Sequence, residues 1–287
     1  MASLQAHWMQ TDCIKPKFKL GFGPAWTSEL GDLRYTLTAN GEQGTTQNKF
    51  GYNASPWLDG GVQAKIYDYF VADFYGGGGW MRKGYGMIVQ KILVSSTSGG
   101  SPLSGAHFEY DTDVTCNFLT TFAGAGVCYD HLNRFFIALT AGYAFSKQSW
   151  NSVQHVVPYT HDIINKWKSP YLGIEAAWDI CDCFRFDVNY RALIGHASSY
   201  DKLYLNGANL SNTCRFVPKF FGNLVALNCI YEFADCWNTG LSFLYNSFQS
   251  FRRGCILPAT TVSQINRYFN RLRFNMFAFT LSIGYNY

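Results

Sequence analysis

From residue 277 to residue 287 every second side chain is apolar or aromatic: Phe277, Phe279, Leu281, Ile283, Tyr285 and Tyr287. Between them stand Ala278, Thr280, Ser282, Gly284 and Asn286, all small or polar. A period of two belongs to a β-strand, whose successive side chains point to opposite faces, whereas a helix repeats its apolar positions at three and four. One face therefore meets an apolar medium and the other a polar one. A soluble sandwich strand would reach turn residues within about 4–8 positions, and here the alternation runs on. What fits is a barrel strand with its outer face in lipid and its inner face toward a polar lumen.

The rest of the chain agrees. Charged residues make up 15% of it and aromatic residues 18%, where a soluble domain carries roughly 25% charged residues. Too few charges are left to coat a water-facing surface of 287 residues. No stretch approaches the roughly 18 consecutive apolar residues of a membrane helix. A transmembrane barrel reconciles the two observations, because each strand shows lipid only alternate residues. The net charge of +4 is small and scattered, which argues against nucleic acid as a partner and leaves lipid headgroup phosphates as partners for loop cations. The first residues, with His7, Gln10 and Asp12, lack a basic region followed by an apolar one. The expectation is a mature form with an added or retained Met, in which residues 1–14 are a periplasmic segment and 15–287 a single barrel domain.

Alternation recurs along the chain. Residues 17–26 set Phe18, Leu20 and Phe22 against Lys17 and Lys19, and residues 49–67 set Leu58, Val62, Ala64 and Ile66 against Asp59, Gln63 and Lys65. After a tight turn near Asp68, residues 70–90 align Phe70, Phe74 and Trp80. The run Gly76-Gly77-Gly78-Gly79 within them reads as close packing or a bend; neither a Lys-Ser/Thr pair nor a helical pattern follows to make it a phosphate loop. Residues 91–105 read as a loop. Residues 108–127 set Phe108, Tyr110, Val114, Phe118 and Phe122 against Glu109, Asp111, Asp113 and Asn117, and residues 149–166, with His155 and His161, read as another long loop. The cleanest internal strand places Phe184, Phe186, Val188, Tyr190, Ala192 and Ile194 opposite Arg185, Asp187, Asn189 and Arg191. An arginine at the bilayer midplane costs roughly 2–4 kcal/mol, so this charged face points into the lumen. Residues 251–270 read as a loop.

About ten strands result, joined by short turns near residues 68, 131, 182 and 235 and by long connections between. That rhythm is the outer-membrane one of tight periplasmic turns and extended outside loops. Strands of about 15–20 residues exceed the about 9–11 that cross a bilayer, so several project beyond it. Asp113, Glu175, Asp179, Arg185, Asp187 and Arg191 form a lumen charge network in near balance of sign, which suits filling a narrow barrel better than a selectivity ring. Of nine cysteines, Cys116, Cys128 and Cys229 fall in strands, Cys181, Cys183 and Cys236 at short turns, and Cys214 and Cys255 beside long loops. No C-x-x-C pair points to zinc or thioredoxin-type chemistry. The reading favours inert or structural thiols, with pairing of turn cysteines within or between chains in an oxidising compartment as the alternative.

Ten long strands, this turn rhythm, Ser169-Pro170-Tyr171-Leu172-Gly173, Ala141-Gly142-Tyr143, residues 184–204 with Ala197-Ser198, and Leu281-Ser282-Ile283-Gly284-Tyr285 resemble the omptins, ten-stranded outer-membrane proteases. The final strand also looks like the C-terminal assembly signal of bacterial outer-membrane barrels. The omptin resemblance implies a bacterial outer-membrane location and lipopolysaccharide as a bound lipid, with no cofactor or metal. It also implies an Asp-x-Asp pair atop the third strand and an Asp-x-His pair atop the seventh. Here Val89 and Lys91 stand at the first pair, and Asp201 and Leu203 at the second. Leucine accepts no proton and lysine reverses the charge that polarises water, so three of four catalytic positions fail. Glu29 and Asp32 match one wall of the substrate pocket, and Ser199 stands where its second acid belongs. His196 and His107 are the histidines available to a rearranged site. The expectation is a barrel whose outside loops bind or adhere to a host surface or peptide ligand, proteolysis lost. The alternatives are an endopeptidase cleaving at basic residues, a small channel, and an envelope protein cross-linked through cysteines.

Overall fold

The structure is a computed structural model. It describes residues 14–37, 43–94, 107–131, 134–154, 159–205, 208–209, 214–216, 219–233, 236–250, 256–257 and 265–286. The described residues form thirteen strands: β1 (Ile14–Leu37), β2 (Gln43–Ile66), β3 (Phe70–Val94), β4 (His107–His131), β5 (Phe135–Gln154), β6 (Tyr159–Cys181), β7 (Phe184–Leu205), β8 (Ala208–Asn209), β9 (Cys214–Phe216), β10 (Lys219–Glu232), β11 (Trp237–Ser250), β12 (Ile256–Leu257) and β13 (Ile265–Asn286). Each of β1 to β7 pairs antiparallel with the next; β7 pairs with β10, β10 with β11, β11 with β13, and β13 with β1. Ten long strands thus close into a barrel without a free edge, the arrangement that satisfies backbone polar groups inside lipid. The short β8, β9 and β12 extend the sheet beside the upper part of β7.

One end carries the short connections, at 67–69, 132–134, 182–183 and 233–236, and both barrel termini. In the first, Tyr67 and Asp68 have φ of 51° and 59°, the positive values that a two-residue hairpin turn needs to match the strand twist. A left-handed non-glycine residue costs roughly 1–2 kcal/mol. Lys65 and Lys15, 3.0 and 3.9 Å from Asp68, offset part of it.

At the other end the strands run further than the sequence suggests. Residues 149–154 and 159–166 are strand, since β5 continues to Gln154 and β6 begins at Tyr159; His155 lies outside the described residues. Likewise β13 begins at Ile265 within the stretch read as loop, and β1 extends to Leu37. Apart from Ile14, which already belongs to β1, the expected N-terminal segment lies outside the described residues.

The barrel has two levels of opposite polarity. Near the short turns the outward residues are apolar, as with Phe22, Leu139, Leu172, Leu241 and Leu281, all exposed, while the inward ones include Asp59, Glu175 and Arg191, all buried. Farther along the strands the sense inverts. Phe50, Val114, Phe118, Trp150 and Trp167 are buried in the interior, and Lys83, Lys91, Glu109 and Asp111 are exposed. β4 shows the inversion most plainly, and it corrects the assignment of that strand. Val114, Phe118 and Phe122 face inward, and Asp113 shares the outer face with its cross-strand neighbours Tyr85 and Val153, both exposed. Asp113 is therefore not part of a lumen network. Alternation separates two faces without saying which is inside; beyond the bilayer the outer face meets water, and the apolar face turns in. The glycine run serves close packing: a Cβ on Gly77 would lie 2.2 Å from the Trp57 ring and one on Gly79 2.4 Å from that of Phe118.

Candidate functional site

The lower lumen holds the charges. Arg191 bonds Asp73 in a buried pair, and its guanidinium lies 3.8 Å from the centre of the Phe122 ring and 5.3 Å from that of Tyr171. The Tyr171 hydroxyl donates to Asp73 at 3.3 Å. Glu175 accepts from Gln63 at 2.9 Å and from Asn189 at 3.2 Å. Asp59 accepts from the Tyr75 hydroxyl at 2.7 Å and the Trp57 indole at 3.1 Å. Nearer the turns, Arg185 bridges Asp187 at 2.6 Å and approaches Asp179 at 3.9 Å. Lys19 donates to Asn228 and Ser242. Between these groups lies a cavity of about 180 Å³ whose lining includes Lys17, Lys19, Asp73, Glu175, Asp187 and Arg191. Both signs meet there, and Lys19, Asp73, Glu175, Asp187 and Arg191 are each bonded to a partner that offsets desolvation.

Above the cavity the lumen is filled. One apolar cluster takes residues from all ten barrel strands, from Ala25 on β1 through Trp57, Met81, Phe118, Trp150, Trp167, Leu193, Phe220 and Phe248 to Phe274 on β13. Rings stack in pairs: Phe50 with Trp150 at 4.8 Å, Trp57 with Phe118 at 5.3 Å, and Trp167 with Phe248 at 5.0 Å. Phe220 meets Trp167 edge-on at 5.0 Å. Such contacts add about 0.5–1.5 kcal/mol each to the burial of the rings.

Glu29 sits inside this apolar level. It reaches across the lumen from β1 to accept a hydrogen bond from Asn165 on β6 at 2.8 Å. Burial pushes its pKa up to about 8, against smaller opposing contributions from Asn165 and Trp150, so near pH 7 it is mostly neutral. Asp32 is only partly buried; desolvation raises it too, opposed by Gln47 and Arg271. Mostly neutral in an apolar interior, Glu29 offers little negative charge to a basic side chain.

The other positions singled out in the sequence scatter. Val89 is buried, with Gln47 and Glu109 as cross-strand neighbours, and Lys91 is exposed. The backbones of Asp201 and Leu203 lie on β7 opposite Ile163 and His161; their side chains lie outside the described residues. His196 is exposed on the outer face. His107 is exposed and 2.9 Å from Glu109. Neither histidine enters the lumen. His161 does, buried on β6; it was missed because its segment reads as a polar loop, although the alternation of His161, Ile163, Asn165, Trp167, Ser169 and Tyr171 marks a strand face. Among the described residues no cluster of three metal-ligating side chains forms.

The family described as Pom, Protochlamydia outer membrane protein, matches residues 101–287, more than half of the chain. No curated protein matches it. Among solved structures, the chain is similar to the outer membrane protease OmpT from Escherichia coli at a TM-score of 0.67 and 15% identity, with 97% of this chain and 98% of that one covered. The translocator domain of the autotransporter NalP from Neisseria meningitidis aligns at a TM-score of 0.41 and 10% identity, over 100% of this chain and 96% of that one. At such identity OmpT speaks to the fold, a closed ten-stranded antiparallel barrel of the bacterial outer membrane.

Proposed function

The chain belongs to the Protochlamydia outer membrane protein family, and from that premise we propose that it is an integral barrel with a sealed interior, proteolytically inactive, that acts through its extracellular rim and loops in binding or adhesion. The observation that carries this reading is the apolar cluster to which every barrel strand contributes. Hydrolysis between facing carboxylates needs a water-filled cleft with ionised acids. Here the level above the membrane is occupied by stacked rings, and the buried carboxylate within it, Glu29, is mostly protonated. The test is cleavage of a fluorogenic dibasic peptide by the refolded protein in lipopolysaccharide-containing micelles. No cleavage is expected; turnover that disappears on Asp201→Ala would overturn the reading.

Lipid contact has its own support. Lys168, His196 and Lys219 stand in one cross-strand row over β6, β7 and β10, and Lys147 faces Lys166 across β5 and β6. On their strands they follow the apolar outward residues Leu172, Ile194, Phe221 and Tyr143, all exposed. Like charges side by side on a sheet repel, and anionic headgroups at that height, including lipopolysaccharide phosphates, relieve the repulsion. A second reading, a narrow channel, is favoured by the charged cavity of about 180 Å³ in the lower lumen; the aromatic level stands in its way.

A further inference from the structure

At the short-turn end, β6 and β7 are joined by Cys181-Asp182-Cys183, with Cys181 paired to Phe184 across a two-residue turn. Both cysteines are exposed, and their sulfurs lie 3.6 Å apart. The other described thiols differ: Cys116 and Cys128 are buried, and Cys229 and Cys236 half-buried. The barrel rule puts short turns in the periplasm, where disulfides form and persist.

We propose that Cys181 and Cys183 are a redox-convertible dithiol on the periplasmic rim, exchanging with the disulfides of cysteine-bearing periplasmic proteins. Bridging requires the sulfurs to close from 3.6 Å to about 2.05 Å, a movement available to two exposed side chains at a hairpin tip. A bridge across one intervening residue closes a small ring, and strained, exposed disulfides are oxidising and reopen readily under attack by a thiolate. The turn is anchored: the Glu232 N–H donates to the Cys183 carbonyl at 2.9 Å, so exchange needs no unfolding of the barrel. The contact with Cys181 is the largest cause that holds the Cys183 thiol protonated above its ordinary range. Either exposed sulfur can open the exchange as its thiolate, and the chemistry is the same with the two interchanged.

The step balances with a protein disulfide as oxidant. Cys181 loses its proton to solvent and attacks one sulfur of the partner's bridge. The S–S bond breaks, the partner's second sulfur leaves as a thiolate, and a mixed disulfide remains on Cys181. Cys183 then loses its proton to solvent and attacks the Cys181 sulfur; the partner's first sulfur departs, and the Cys181–Cys183 bond forms. Two electrons pass to the partner, whose thiolates take up protons from solvent.

The experiment uses the refolded full chain in detergent micelles with oxidised glutathione as the probe, thiols being trapped by alkylation before tryptic digestion. Residues 169–185, SPYLGIEAAWDICDCFR, form one tryptic peptide with both cysteines and no other. The expected product is that peptide two hydrogens lighter and unalkylated, in the wild type and in Cys236→Ser alike. Cys183→Ser should accumulate a glutathione adduct on Cys181 and Cys181→Ser one on Cys183, neither going on to the bridge. The Cys181 and Cys183 changes lie in an exposed turn and the Cys236 change at a half-buried position, and heat-dependent gel mobility confirms that each variant has folded. A peptide still alkylated twice where a free thiol control is oxidised, or a bridge from either cysteine to Cys236, would overturn the assignment.

Discussion

Replacing Glu29 with glutamine should stabilise the barrel, and by an amount that grows with pH. The side chain is 4% exposed and accepts a hydrogen bond across the lumen from Asn165. Its pKa rises from 4.5 to about 8 in the folded chain. Between those values the folded state holds a proton that the unfolded chain has released, so stability falls as pH rises. The contribution is whole below about 4.5 and lost above about 8. That span, at about 1.36 kcal/mol per pH unit, amounts to about 5 kcal/mol at full ionisation and about 2 kcal/mol at pH 6. Glutamine copies the protonated carboxyl: its oxygen accepts from Asn165, and its amide donates to the Asn165 Oδ1, which has no partner among the described residues. Guanidinium unfolding in zwitterionic micelles at pH 4, 6 and 9 reads the difference. Glu29→Gln should match the wild type at pH 4 and exceed it by the stated amounts at pH 6 and 9. A gain independent of pH, or a loss at pH 9, would refute the assignment of Glu29 as a buried acid.

Arg191→Met should leave the buried Asp73 charge without its partner and cost about 3–5 kcal/mol, much of it recovered in the Arg191→Met/Asp73→Asn double variant; the same unfolding series measures both. Trp167→Ala removes a fully buried ring that stacks on Phe248. It should cost about 3–5 kcal/mol and raise single-channel conductance in planar bilayers over a nearly silent wild type; an open wild-type channel would favour the channel reading. Lys168→Glu/Lys219→Glu should reduce co-purification of lipopolysaccharide, by native mass spectrometry, without altering partition into neutral vesicles.

The barrel was legible in the sequence because lipid imposes one rule on every strand. Phe279, Leu281 and Ile283 lie outward and exposed, with Thr280 and Ser282 buried between them, as their alternation requires. Turn positions were legible for a related reason: the positive φ of Tyr67 and Asp68 belongs to a tight hairpin between two long alternating runs. The lumen pairs were only half legible. Alternation put Arg185, Asp187 and Arg191 on one face, yet Asp73, which bonds Arg191 across 118 residues, is the one acid of β3 and gave no pattern to follow. Glu29 was picked out by resemblance to a substrate wall. The reason it is buried, an apolar level assembled from ten strands, is a tertiary fact that no single segment carries.

The reversal on β4 shows what was missing and why it bears on function. Val114, Phe118 and Phe122 alternate as cleanly as Phe279, Leu281 and Ile283, and a period of two fixes only that each trio shares a face. The deciding quantity is distance from the short turn. β4 spans 25 residues, where about 9–11 cross the bilayer, so its far half stands in water on the outside and has its apolar face free to turn inward. Aspartates interleaved with aromatics far from a turn, such as Asp111 and Asp113, are thus the mark of a filled interior. At that height the inward face also carries buried polar groups, His161, Asn165 and Ser199 among them, packed between the rings. By the same logic the aromatic residues that make this chain read as a membrane protein do two jobs. Those near the turns meet lipid, and those beyond it pack against one another in the lumen.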